Sequence, residues 1–188
     1  MVWCNVTLDT LSTALLAFPS LQHVLPLTPI LCPNASPSLI GAPHPILVLG
    51  ALSTIAGAAI RLTCFRALGK LFTFELTIAP THTLVTTGPY AAVRHPSYTG
   101  VYMTLLGASA VALAPGSWLM ECWLLRAGWG ASLLAWLFVA FWSVKVWYAL
   151  SSTNQRLERE DKELRRVFGD EWDKYAARVP WKLVPWVW

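Results

Sequence analysis

"GPYAAVRHPSYTGVYMTLLGASAVALAPGSWLM", residues 88–120, sets an arginine and a histidine before a run that carries no charged side chain from position 98 to position 120. Such a run is long enough to cross a bilayer, since about 20 mainly apolar residues span the hydrocarbon and a helix pairs its own backbone amides there. Pro96 suits the first turn of that helix, because it lacks an amide that would go unpaired and pushes the residue before it out of helical geometry. Arg94 and His95 then stand at the helix entrance, where free amides favour an anionic partner. An interfacial anchor of Arg, His and Tyr is the competing reading of this corner.

The chain is 55% hydrophobic and only 13% charged, against about 25% charged in a soluble domain, and its mean hydropathy is +0.50. No Asp, Glu, Lys or Arg lies between Asp9 and Arg61, whereas residues 156–182 hold eight basic and seven acidic side chains. These patterns predict an all-α polytopic membrane protein with about four transmembrane helices and a cytosolic C-terminal helical tail, in a single domain over residues 1–188. Residues 127–144 form a second uncharged span, ending at Lys145 with Trp147 and Tyr148 at headgroup level. A short turn carrying Glu121 and Arg126 joins the two in an antiparallel hairpin. Residues 45–60 reach spanning length by extending through a snorkelling Arg61. Residues 1–44 are an N-terminal membrane segment of unsettled form: Pro19, Pro26 and Pro29 make residues 11–31 either a kinked span or a poorly ordered start. A signal peptide is disfavoured, because the first residues lack Lys and Arg.

Basic residues concentrate in residues 61–94 and in the tail, which places both on the cytosolic side and the Glu121 turn opposite. The net charge of +4 does not point to nucleic acid, since acidic side chains nearly match the basic ones in the tail. Cys4, Cys32, Cys64 and Cys122 show neither metal-ligand spacing nor a disulfide framework, and read as small buried hydrophobes.

In the tail, residues 155–168 read as a helix with Leu157, Leu164 and Phe168 on an apolar stripe and Arg156, Glu160 and Glu163 on another face. Gly169 ends it. Glu158 with Lys162, and Asp161 with Arg165, have the spacing of surface pairs. "DEWDKYAARV", residues 170–179, is a second amphipathic segment, and "WKLVPWVW" returns to the interface.

Residues 84–185, from "LVTTGPYAAVRHPSYTG" through "RLEREDKEL" and "FGDEWDKYAARVP" to Pro185, resemble the isoprenylcysteine carboxyl methyltransferase family. The resemblance implies that this region binds S-adenosylmethionine and methylates the carboxylate of a prenylated cysteine on CaaX-processed proteins, in the endoplasmic reticulum membrane and among its lipids. It implies a cofactor cradle of His95, Pro96, Tyr98 and Gly100, joined by Arg156, Glu158 and Tyr175. Arg178, Arg94 and Glu160 take the catalytic roles, with Arg178 guiding the substrate carboxylate. The chemistry is coherent: a ring face suits Tyr98, Trp172 or Tyr175, a diol or amine suits a glutamate, and a carboxylate suits an arginine or His95. Arg159 interrupts the acidic run, and Trp181 and Lys182 replace a usually smaller stretch. Residues 1–44 show little resemblance, and family members often have more helices. Phospholipid N-methylation and a non-enzymatic membrane scaffold are the alternative readings; oligomeric state is not read from the sequence.

Overall fold

The computed structural model describes residues 44–71, 83–125 and 128–187, with positions 7, 8, 10–12, 14, 15, 18, 31 and 32 before them. Most of the expected segment at residues 11–31, together with Cys4, lies outside the described residues. All regular structure among the described residues is helical: α1 (Pro45–Leu68), α2 (Pro96–Leu113), α3 (Trp129–Phe168) and α4 (Asp170–Arg178). A 3-10 turn at Gly88–Ala91 precedes α2, and a π-helical segment at Leu119–Leu124 follows it.

Two helices, α1 and α3, are long and apolar enough to cross a membrane. Their apolar side chains are exposed rather than packed, Ile46, Leu49, Leu52 and Ile55 on α1 and Leu133, Leu134, Leu137 and Phe141 on α3, as lipid-facing surfaces require. Ser97, Tyr98, Thr99, Tyr102 and Thr104 dilute the first half of α2, which does not reach the same mark. The chain is thus a membrane-associated helical protein in which two of the four expected spans stand out by length and composition.

Two boundaries differ from the sequence expectation. The α2 helix stops at Leu113, short of position 120, because Pro115 offers no amide and Gly116 takes a φ of 86°. The expected second span and the expected tail helix are one continuous α3 of 40 residues. No proline interrupts it, and the helix runs on through Lys145. At 1.5 Å per residue it runs about 60 Å, roughly twice the hydrocarbon thickness, so much of it stands outside the apolar layer.

The chain divides into two compact units, residues 1–54 with 105–145 and residues 55–104 with 146–188. In the first, α1 and α2 meet through Gly50 and Gly107; a Cβ on Gly107 would lie 2.6 Å from the Gly50 carbonyl oxygen. Trp142 Nε1 donates to Ser109 Oγ at 2.9 Å. Cys32 and Cys122 form a disulfide there, with Cα atoms 4.8 Å apart, which corrects the reading of both as simple buried hydrophobes. Their separation of 90 residues kept the pairing out of local view. Glu121, expected on the short turn, is 6% exposed and accepts the Gly116 amide at 3.2 Å.

In the second unit, Gly57 and Gly100 repeat the close approach: a Cβ on Gly100 would lie 2.6 Å from both the Gly57 carbonyl oxygen and Arg61 Cγ. Arg61 Nη1 donates to the Ser97 carbonyl at 3.3 Å and its guanidinium lies over the Phe65 ring. Tyr102 hydroxyl donates to Asn154 Oδ1 at 3.0 Å and to the Leu150 carbonyl at 3.2 Å. Gly169, at φ 51°, ends α3 and turns the chain into α4. Trp172 and Tyr175 of α4, and Val179 just after it, pack with Leu84, Leu164 and Phe168, so the apolar side of this amphipathic segment is the docking face.

Candidate active site

The second unit fixes His95 through its backbone before any side chain acts. Its amide donates to the Lys182 carbonyl at 2.9 Å, and its own carbonyl accepts from Tyr98 and Thr99 as α2 begins at Pro96. One residue earlier, the Arg94 amide donates to the Trp181 carbonyl at 2.9 Å, and Thr99 Oγ1 donates to the Leu183 carbonyl at 2.7 Å. The stretch after α4 therefore straps the Arg94–His95 corner, a task that Trp181 and Lys182 perform with main-chain atoms.

Two consecutive carboxylates of α3 meet the imidazole. His95 Nε2 is 2.6 Å from Asp161 Oδ1, and His95 Nδ1 is 3.5 Å from Glu160 Oε2. With an acceptor at each nitrogen, the arrangement suits the imidazolium form, which donates from both. Burial by itself would push His95 below its ordinary value, but the hydrogen bonds and charges of Asp161 and Glu160 outweigh it and hold the imidazole above that value. Burial pushes the two carboxyls up; the bonds to His95, aided by Tyr98 at Glu160 and by Arg94 and Lys182 at Asp161, bring both below their ordinary values.

Glu160 collects three donors: His95, the Tyr98 hydroxyl at 2.6 Å and Arg156 Nε at 3.3 Å. Asp161 takes the Arg94 guanidinium at 3.7 Å. The same guanidinium lies 5.9 Å above the Trp172 ring, and its Nε is buried with no hydrogen-bond partner among the described residues.

Of the residues expected at the site, His95, Tyr98, Arg94, Arg156 and Glu160 are brought together, with Pro96 starting the helix that carries Tyr98. Gly100 faces α1 instead, where it admits Gly57 and Arg61. Glu158 is exposed on α3, and Arg178 is exposed in the last turn of α4, outside the hydrogen-bonded set. Tyr175, 3% exposed, donates its hydroxyl to the Tyr90 carbonyl at 2.8 Å; burial pushes its phenol up to about 12. It serves packing of α4 in this structure.

Sequence reading missed Asp161. The expected pair of Asp161 with Arg165 does not form; Arg165 pairs with Asp173 at 3.0 Å instead. A signal was present, because positions 157, 161, 164 and 168 share one helical face. An acid on the apolar stripe of Leu157, Leu164 and Phe168 must find a partner when that stripe is buried.

Comparison with known proteins places the chain in a family. A family model described as the isoprenylcysteine carboxyl methyltransferase family matches residues 48–166. Protein-S-isoprenylcysteine O-methyltransferase of Homo sapiens is 29% identical over 135 residues, covering 71% of this chain and 39% of that protein. Protein-S-isoprenylcysteine O-methyltransferase B of Arabidopsis thaliana is 29% identical over 133 residues, 70% of this chain and 55% of its own length. That of Schizosaccharomyces pombe is 32% identical over 99 residues, 53% of this chain and 32% of its own. The chain thus spans between about a third and just over half the length of these curated relatives. A solved structure of the eukaryotic intramembrane Ras methyltransferase isoprenylcysteine carboxyl methyltransferase shares the fold, with a TM-score of 0.54 at 21% identity, over 93% of this chain and 52% of that one.

Proposed function

This chain belongs to the isoprenylcysteine carboxyl methyltransferase family, and we propose that it methylates the carboxylate of a prenylated C-terminal cysteine on CaaX-processed proteins, with S-adenosylmethionine as donor. Its place is the endoplasmic reticulum membrane, crossed about four times, with the site open to the cytosol. The observation that carries this reading is the buried His95 held between Glu160 and Asp161, with Arg94 and Tyr98 on the same two carboxylates.

The donor set fits the cofactor. S-adenosylmethionine supplies a methyl group on a cationic sulfur and presents a zwitterionic amino acid portion. Glu160 and Asp161 offer acceptors for its ammonium group, held in place by His95, whose two nitrogens both face them. The unpartnered Nε of Arg94 leaves a buried donor that an anionic group would satisfy. Tyr98 and Arg156 hold Glu160 in its rotamer.

The substrate carboxylate, with an ordinary pKa of about 3.5, is ionised at neutral pH and requires no base. The chain's work is therefore to bind, align and exclude water. An arginine that gripped the carboxylate too strongly would stabilise the ground state, so its role is orientation. Arg94, largely enclosed and set beside Trp172 and Asp161, is the guide favoured by geometry; Arg178, on the exposed end of α4, is the second candidate. A prenyl chain remains in lipid during the reaction, because moving it through water would expose its apolar surface.

Methyl transfer from labelled S-adenosylmethionine, with prenylcysteine and aminophospholipid offered in parallel, tests the reading. Base-labile label on prenylcysteine supports it, and label confined to phospholipid headgroups replaces it with N-methylation.

A further inference from the structure

We infer that the Cys32–Cys122 disulfide forms on the non-cytosolic side of the membrane, so that the connection between α2 and α3 faces an oxidising compartment. Disulfides persist where the surroundings are oxidising and are rare where glutathione and thioredoxin keep thiols reduced. The bridge lies in a built seat. Cys122 is fully buried and Cys32 is 3% exposed. The carbonyl of Leu31, next to Cys32, accepts from the indoles of both Trp118, at 2.9 Å, and Trp123, at 3.1 Å. Cys122 sits between those donors in sequence, in the π-helical segment, and its neighbour Glu121 is itself buried against the Gly116 amide. Two tryptophans satisfied by one carbonyl specify where residue 31 sits, and the thiol that follows it meets Cys122.

Bridge formation removes one proton and one electron from each thiol. A disulfide-donating oxidoreductase takes both electrons and both protons, and its own disulfide becomes a dithiol. The cytosol does not maintain such a donor in its oxidised form. The assignment agrees with the distribution of basic residues, which places the same connection opposite residues 61–94 and the tail, yet it owes nothing to charge. It is also independent of the proposed methyl transfer, and it covalently ties residue 32, ahead of α1, to the α2–α3 connection.

The test uses the full chain in the membranes of intact cells. Cells are quenched in acid, dissolved in denaturant with N-ethylmaleimide, then reduced and treated with iodoacetamide, and each cysteine peptide is weighed. Cys64, a free thiol in the structure, reports whether the first alkylation went to completion. The expected result is N-ethylmaleimide on Cys64 and carbamidomethyl on Cys32 and Cys122, with a Cys32–Cys122 linked peptide in the unreduced sample. N-ethylmaleimide predominating on Cys32 and Cys122, or Cys122 linked to Cys4 instead, would overturn the inference.

Discussion

Asp161 reaches His95 Nε2 at 2.6 Å while its other oxygen stands 3.7 Å from Arg94, so one carboxylate holds two successive cations at the entrance to α2. Neither partner is visible from Asp161's own helix, and the pairing ties the α3 tail to the start of α2 within one unit.

This pairing predicts a pH signature. Folding raises His95 above its ordinary value of 6.5, so its contribution is fully present below that pH and is lost as pH rises through the folded value. Glu160 and Asp161 are held below their ordinary values of 4.5 and 3.8, so theirs is present above those and lost as pH falls through the folded values. The cluster is complete between about pH 4.5 and 6.5 and loosens on the alkaline side as the imidazole deprotonates. NMR titration of His95 should show protonation persisting above the ordinary value, and Asp161→Asn should bring it down. An unshifted His95 in the wild type contradicts the pairing.

Arg94 and Arg178 are separated by substitution. Arg94→Lys keeps the charge and loses the planar fork, and should lower the methyl-transfer rate by roughly 10-fold to 150-fold, or about 1.5–3 kcal/mol. Arg178→Lys should have little effect. Steady-state methylation of N-acetyl-S-farnesyl-cysteine measures both; the reverse order moves the carboxylate guide to Arg178.

Much of this was legible locally. Pro96 marks the start of α2, Gly169 the end of α3, and Leu164 and Phe168 of the expected stripe find their cover in α4. What sequence could not supply were the partners chosen by distant segments. Asp161 has an apparent partner one turn away in Arg165, and only the approach of His95, 66 residues earlier, decides against it. The Cys32–Cys122 pairing depends in the same way on a tertiary seat. Lys145 bounds the uncharged run, but a charge that marks an interface does not end a helix, and α3 continues through it.

Glycine contacts between α1 and α2 predict which substitutions the fold rejects. Gly100→Ala and Gly107→Ala each drive a methyl group against a backbone carbonyl and should cost about 1–3 kcal/mol, seen as a lower thermal midpoint in detergent. Gly128→Ala, with nothing among the described residues within 4 Å of the added carbon, should be tolerated. Equal effects at all three positions would contradict the packing described.

Truncation after Pro180 should damage the site although the only side chain it removes that acts on the His95 cluster is Lys182, beside Asp161. It deletes the carbonyls of Trp181, Lys182 and Leu183 that accept from Arg94, His95 and Thr99. S-adenosylhomocysteine affinity should fall at least as far as in His95→Ala, whereas changing Trp181 to Ala, which keeps its carbonyl, should be milder. Undiminished affinity in the truncated chain would show that the strap does not hold the corner.

The most direct measurement is transfer of labelled methyl from S-adenosylmethionine in membranes containing this chain, with prenylcysteine and aminophospholipid present together and His95→Ala membranes alongside. The account predicts base-labile label on the prenylcysteine carboxylate that falls sharply in His95→Ala. Label on phospholipid alone, or prenylcysteine esterification no greater than in membranes lacking the chain, would contradict it.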